Sequence, residues 1–249
     1  MKKLIYSTLL LFSVVVIATG CKKEKENIIP EPAAYSDVNF KMDYSVDAMP
    51  LYFDSMIYTN AAGNKYSVTK IHYYLSRLKL YAKGVLKYSS NDIFYLDAAS
   101  ANYAGFKLKN VPALQYDSVS FNIGLDEAQN ISNSLPASNE NIVMAWPDMM
   151  GGGYHFLKLE GHWQDSNGNA GYAMHIGKNG FHIQTGVKSI FNLQPGMVLN
   201  LKMKMNVNEW FTTPNMYDLA NDGVYSMGNE ALMRKLSENG RDVFTIEYQ

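Results

Sequence analysis

The sequence predicts an all-β protein, a single antiparallel β-sandwich with few short helices. Three observations predict it. The chain of 249 residues carries 18 Tyr and 11 Phe, residue types that favour half-buried strands. Short runs of alternating polar and apolar residues recur along it, bounded by turn residues. No repeat period or low-complexity block interrupts them.

The first segment is an address rather than a fold element. Lys2 and Lys3 precede "LIYSTLLLFSVVVIA", an apolar run too short for a comfortable membrane span, and small residues lead to Cys21. That order marks residues 1–20 as a lipoprotein signal and Cys21 as the lipid attachment point, rather than an uncleaved anchor. Residues 21–37, "CKKEKENIIPEPAAYSD", read as a polar, Pro-containing tether. Its charged start is similar to the export tags of some Bacteroidetes surface lipoproteins. The expected location is the outer membrane, on its periplasmic or cell-surface side, with the lipid as the membrane contact.

Cys21 is the only cysteine, which excludes disulfides, thiolate metal sites and Cys catalysis from the folded domain. The formal charge of −1 leaves no electrostatic footprint for nucleic acid.

Residues 38–249 are long enough, at about 210 residues, for one sandwich-sized core. "YSDVNFKMDYSV" alternates, and "KYSVTKIHYYLSRLKLYA" gives a long β-branched and aromatic run. "ALQYDSVSFNIGL", "GYHFLKLEGHW", "GYAMHIG", "GFHIQTGV" and "MVLNLKMKMNV" follow, with turns between them. The one clear helix is "NEALMRKLSENG", with Asn229 as cap, Leu232 and Leu236 facing inward and Gly240 as stop. "TTPNMYDLAND" has the composition of a further short turn.

Gly151–Gly177, "GGGYHFLKLEGHWQDSNGNAGYAMHIG", holds three of the five histidines. Asn167–Gly168 is a strong hairpin-turn signal. Placing that pair at the tip sets Trp163 opposite Tyr172, His162 opposite Ala173 and Glu160 opposite His175. Alternation then puts Glu160, His162 and His175 on one face, with opposed Cβ atoms about 5 Å apart and diagonal ones about 7 Å. Two imidazoles at that separation can share a small cation, with Glu160 as ligand or as orienter of a ring. His155 faces the other way in an unbroken strand, beside Trp163, and a bulge near Gly161 is needed to bring it round. The same pattern also describes an ordinary cross-strand polar pair. His72 and His182 could complete a site across the sandwich, but each is expected to be a satisfied structural histidine.

The 14 methionines add a thioether supply near the histidines in "DMMGGG" and "YAMH", a donor set that suits Cu(I) better than Ca²⁺ or Mg²⁺. Met203 and Met205, in line with Leu199 and Leu201, read as core. Nothing supplies an enzyme's machinery. There is no G-x-S-x-G elbow and no H-E-x-x-H; "GGG" precedes a strand rather than a helix, and "GLDEAQN" lacks EF-hand spacing.

Taken together, "VTKIHYYLSRLKL", "FNIGLDEAQNIS", "MAWPDMMGGGYHFLKLEGHW", "HIG" and "NEWF…ENGRDVFTI" come in the order seen in MbnP-like copper-binding domains, which the chain resembles from about Val38 onward. The resemblance implies a β-sandwich that binds copper outside the cytoplasm. In some relatives a tryptophan oxidised to kynurenine helps two histidines hold Cu(I), and a dihaem peroxidase-like partner performs that oxidation. Trp146 falls where many members have an aromatic pair ending in Trp, and His175 falls on a shared His-Gly pair. "PDMMGGGYHF" departs from the commoner form and resembles a His-rich branch, with His155 and His162 added.

Two functions follow as expectations. One is a lipid-anchored extracytoplasmic copper protein, not an enzyme, with His162 and His175 as ligands, His155 as a further ligand and Glu160 as orienter. Its affinity should weaken as pH falls through about 6.5, since the imidazoles must be neutral. The other is a metal-free surface lipoprotein whose aromatics recognise a glycan or a protein partner.

Overall fold

The computed structural model describes residues 34–248. The expected signal segment, Cys21 and the tether as far as residue 33 lie outside the described residues. The strands are β1 (Tyr35–Val46), β2 (Met49–Pro50), β3 (Tyr58–Thr59), β4 (Lys65–Ala82), β5 (Val85–Ser89), β6 (Phe94–Asp97), β7 (Gly105–Pro112), β8 (Gln115–Ile123), β9 (His155–Asp165), β10 (Gly168–Gly177), β11 (Ile183–Asn192), β12 (Val198–Asn206) and β13 (Phe244–Tyr248). The α-helices among the described residues are α1 (Asn139–Val143) and α2 (Glu230–Asn239). β1 starts three residues ahead of the expected domain boundary at Val38. Ser36 is already buried there, its hydroxyl 2.6 Å from the Met197 carbonyl.

Two sheets make the sandwich. The first runs β13-β12-β1-β2 with β7 also on β1, and the second runs β10-β9-β4-β8-β11. The 18-residue β4 is the spine of the second sheet. One edge pairs with β9 and then β8, and the other pairs with β3, β6 and β5. One pairing departs from the antiparallel expectation: β1 and β12 run parallel, Asp37 with Val198 through Ser45 with Asn206. Parallel neighbours need a long crossover, and every strand of the second sheet lies between these two in sequence.

The core sits between the sheets. Phe40, Leu201, Met203 and Met205 reach in from one side, and Ile71, Tyr73, Leu157 and Leu159 from the other, all essentially fully buried. Each such side chain contributes about 1.5–3 kcal/mol by leaving water. Helix α2 forms as its sequence predicts: the Asn229 side chain accepts from the Leu232 N–H at 3.2 Å, and Leu232, Met233 and Leu236 are buried.

The β9–β10 hairpin forms, but its tip differs from expectation. Asp165 pairs with Gly168, so Ser166 and Asn167 form the turn. The Asp165 carboxylate accepts the Asn167 N–H at 2.6 Å, a local turn that competes with the Asn-Gly tip, and Gly168 takes a φ of +126° just beyond it. Moving the tip by one residue slides each cross-strand partner by two. Faces are therefore kept while neighbours change: Glu160 meets Ala173, His162 meets Gly171, and His175 meets Lys158.

Candidate metal centre

The slid register separates the two histidines expected to pair. His162 lies exposed opposite Gly171, four residues along β9 from Lys158, the partner of His175. Its place beside His175 is taken by His155. β9 carries one extra residue against β10 between the pairs Leu157–Ile176 and His155–Gly177. That bulge turns both Phe156 and Leu157 into the core and brings His155 to the face of His175. The expected bulge thus exists, at Phe156 rather than near Gly161. Phe156 fixes it there by filling the core against Gly124, whose Cα hydrogens face the Phe ring.

His155 is 4% exposed. Its backbone N–H donates to the Met144 carbonyl at 2.6 Å, and its Nδ1 lies 3.1 Å from the same oxygen. A carbonyl only accepts, so Nδ1 carries the proton and Nε2 keeps its lone pair. Nε2 is buried without a partner. Burial pushes the His155 pKa down to about 3, helped by the cation of Lys158 and by His175 nearby.

His175 is anchored at both ends. Its backbone N–H donates to the Ser226 hydroxyl at 2.7 Å, and that hydroxyl donates to the His175 carbonyl at 2.6 Å. Its Nε2 lies 3.0 Å from Glu160 Oε1, and Lys70 donates to the other carboxylate oxygen at 2.7 Å. These bonds, led by the one from His175, hold the Glu160 pKa at about 2, so the carboxylate accepts and Nε2 donates. Nδ1 is left buried and unpartnered.

The two rings meet edge to face, centroids 5.0 Å apart at 87°. Trp146 closes the other side of His155, with centroids 4.7 Å apart at 62°. Its backbone N–H donates to the Gly153 carbonyl at 2.9 Å, and its Nε1 to the Met150 carbonyl at 3.2 Å. A cleft of 410 Å³ lies beside it, lined by Leu135, Asn141, Ile142, Asp148 and Tyr154 among others.

Two buried imidazole nitrogens are thus without a partner, and each ring is held through its opposite nitrogen, as the rings of metal-site histidines are. No group of three His, Cys, Asp or Glu side chains able to share an ion occurs among the described residues.

The family model MbnP matches residues 35–230. The chain belongs to the MbnP family. Its fold also matches the solved structure of MbnP from Methylosinus trichosporium, with a TM-score of 0.56 and 12% identity over 85% of this chain and 98% of that one. At that identity the match speaks for the fold alone. No curated protein matches the sequence.

The remaining two histidines lie elsewhere. His72 follows Lys158 across the sheet, its Nε2 3.5 Å from Asp97 Oδ2, and burial lowers its pKa. The His182 side chain lies in the β10–β11 connection. Methionine sulfur takes a smaller part than the sequence suggested: Met174 points into the core, and Met144 offers His155 its carbonyl. Lys158, Ser226 and the Met144 carbonyl were not foreseen. Lys158 was legible as a same-face neighbour once the register is right, whereas Ser226 arrives from a distant loop with no local signal.

Proposed function

We propose that this chain is a lipid-anchored extracytoplasmic copper-binding protein that holds Cu(I) between His155 and His175. The observation that carries the reading is the pair of unpartnered imidazole nitrogens on rings 5.0 Å apart. Imidazole suits copper, no thiolate or carboxylate cage competes, and two neutral donors match an ion of low charge and low coordination. Glu160 and the Met144 carbonyl orient the rings, and Trp146 shields His155 from water.

Trp146 is also the residue we assign to oxidation, if the kynurenine chemistry implied by family resemblance operates here. Its indole already packs against the His155 ring, centroids 4.7 Å apart. The dihaem peroxidase-like partner then has a landing place beside it, where Ile142, Val143 and Met149 are exposed, Met149 at 94%. The lipid on Cys21 and outer-membrane location complete the proposal. It describes a binding protein rather than an enzyme.

The test is a Cu(I) titration of the full-length protein against a competing chelator, beside the double variant His155→Ala with His175→Ala. Tight binding that the double variant loses while keeping its melting transition supports the assignment. Equal binding by both proteins would sink it and leave recognition of a protein or glycan as the reading.

A further inference from the structure

Lys158 sits directly opposite His175 across the hairpin and on the same face, three residues from His155. Its ammonium is held by the Val143 carbonyl at 2.5 Å, next in the chain to the carbonyl that anchors His155. Among the described residues no carboxylate pairs with it. Glu160, the nearest same-face acid on β9, is already bonded by Lys70 at 2.7 Å and by His175 at 3.0 Å. Asp97 is 3.5 Å from His72 on the far side of β4. The donor pair therefore sits beside a cation with no ion-pair partner of its own, offset only through space by the Glu160 carboxylate that Lys70 and His175 already hold. On its other side Lys158 faces His72, so it also stands between the His155–His175 pair and the His72–Asp97 pair.

From this arrangement we infer that Lys158 sets the charge preference of the site, admitting a monovalent cation and disfavouring divalent ones. The inference rests on the metal-site reading above. A fixed positive charge repels a bound ion in proportion to that ion's charge. The penalty on a divalent ion is twice that on a monovalent one in free energy, and so the square of it in affinity. Lys158 also blocks the sheet row along which His72 and Asp97 would have to join the pair to build the four-ligand shell a zinc ion prefers.

The experiment compares Cu(I) and Zn(II) affinities, each by chelator competition, in the full-length wild type and in Lys158→Gln, Lys158→Met and Lys158→Arg. Gln keeps a donor for the Val143 carbonyl without the charge, Met removes both, and Arg keeps the charge. Both neutral variants should gain roughly threefold for Cu(I) and, as its square, roughly tenfold for Zn(II), a repulsion of the size two nearby charges have in a well-solvated site. Lys158→Arg should keep the wild-type ratio. A neutral variant whose Zn(II) gain does not exceed its Cu(I) gain overturns the inference, as does an Arg variant that behaves like Gln. Wild type that binds neither ion overturns the metal-site reading and this inference with it, whereas tight Cu(I) binding with an unchanged ratio overturns this inference alone.

Discussion

The indole of Trp146 lies on the backbone of Gly177: a Cβ at 177 would stand 2.6 Å from Cζ3 and closer still to Cε3. The contact joins the loop before β9 to the end of β10, and it fixes the wall against which His155 rests. Gly177→Ala must move the indole or the strand. The expected cost is about 1–3 kcal/mol, with a change in the near-ultraviolet dichroism of the tryptophans. Gly171→Ala, on the same strand, meets nothing closer than 3.9 Å and should stay within about 0.5 kcal/mol of wild type. Denaturant melts of the two variants check the contrast; equal costs would mean that the indole has room to give.

Loss of one donor should be far worse than loss of the exposed histidine. His155→Ala or His175→Ala is expected to weaken Cu(I) binding by about 100-fold or more, Glu160→Ala by about 10–100-fold, and His162→Ala by less than about twofold. Chelator competition on the four variants reads all of this. A large effect at His162 would restore the pairing first read from the Asn-Gly turn.

Ser226 is fully buried and closes both backbone groups of His175. Ser226→Ala leaves a buried N–H and a carbonyl short of partners, at about 1–3 kcal/mol of stability. Amide exchange at His175 should rise with it. Unchanged protection there would show that water or a shifted loop replaces the hydroxyl.

The metal-free protein should lose stability in acid, starting above the carboxylate range. His155 has its pKa lowered from 6.5 to about 3 on folding, so between those values the unfolded chain binds the extra proton. Stability therefore falls as pH falls through that window. Glu160, lowered from 4.5 to about 2, adds a loss in the same direction further down. From about pH 7 to about pH 4.5 wild type should lose about 2 kcal/mol that His155→Gln does not lose. Urea melts at the two pH values measure it; parallel losses in both proteins would place the effect elsewhere.

Much of this fold is written locally. β4, the core stripe of Met203 and Met205 and the capped helix α2 follow from residues within a few positions of one another. The face shared by Glu160 and His175 was legible too, because alternation survives a two-residue slide. What escaped depends on choices between near-equal local options or on distant chain. The tip moved because the Asp165 carboxylate offers a turn as good as Asn167–Gly168, and that single step exchanged His162 for His155. The bulge at Phe156 reflects how the ring fills space beside Gly124, a contact between segments more than thirty residues apart. The parallel pairing of β1 with β12, and the seat of Ser226, are likewise settled only when the whole chain closes.

The bulge at Phe156 also bears on how such sites can be found in other sequences. Here the strand carries one extra residue, Phe156, between His155 and the tip, so the count from this histidine to the hairpin tip exceeds that of a regular strand by one. A chain lacking the extra residue would set a histidine at the same place with a shorter count. Spacing patterns that fix the gap would recognise one form and pass over the other. The invariant to look for is the cross-strand neighbour of Gly177, which is defined by pairing rather than by arithmetic along the chain.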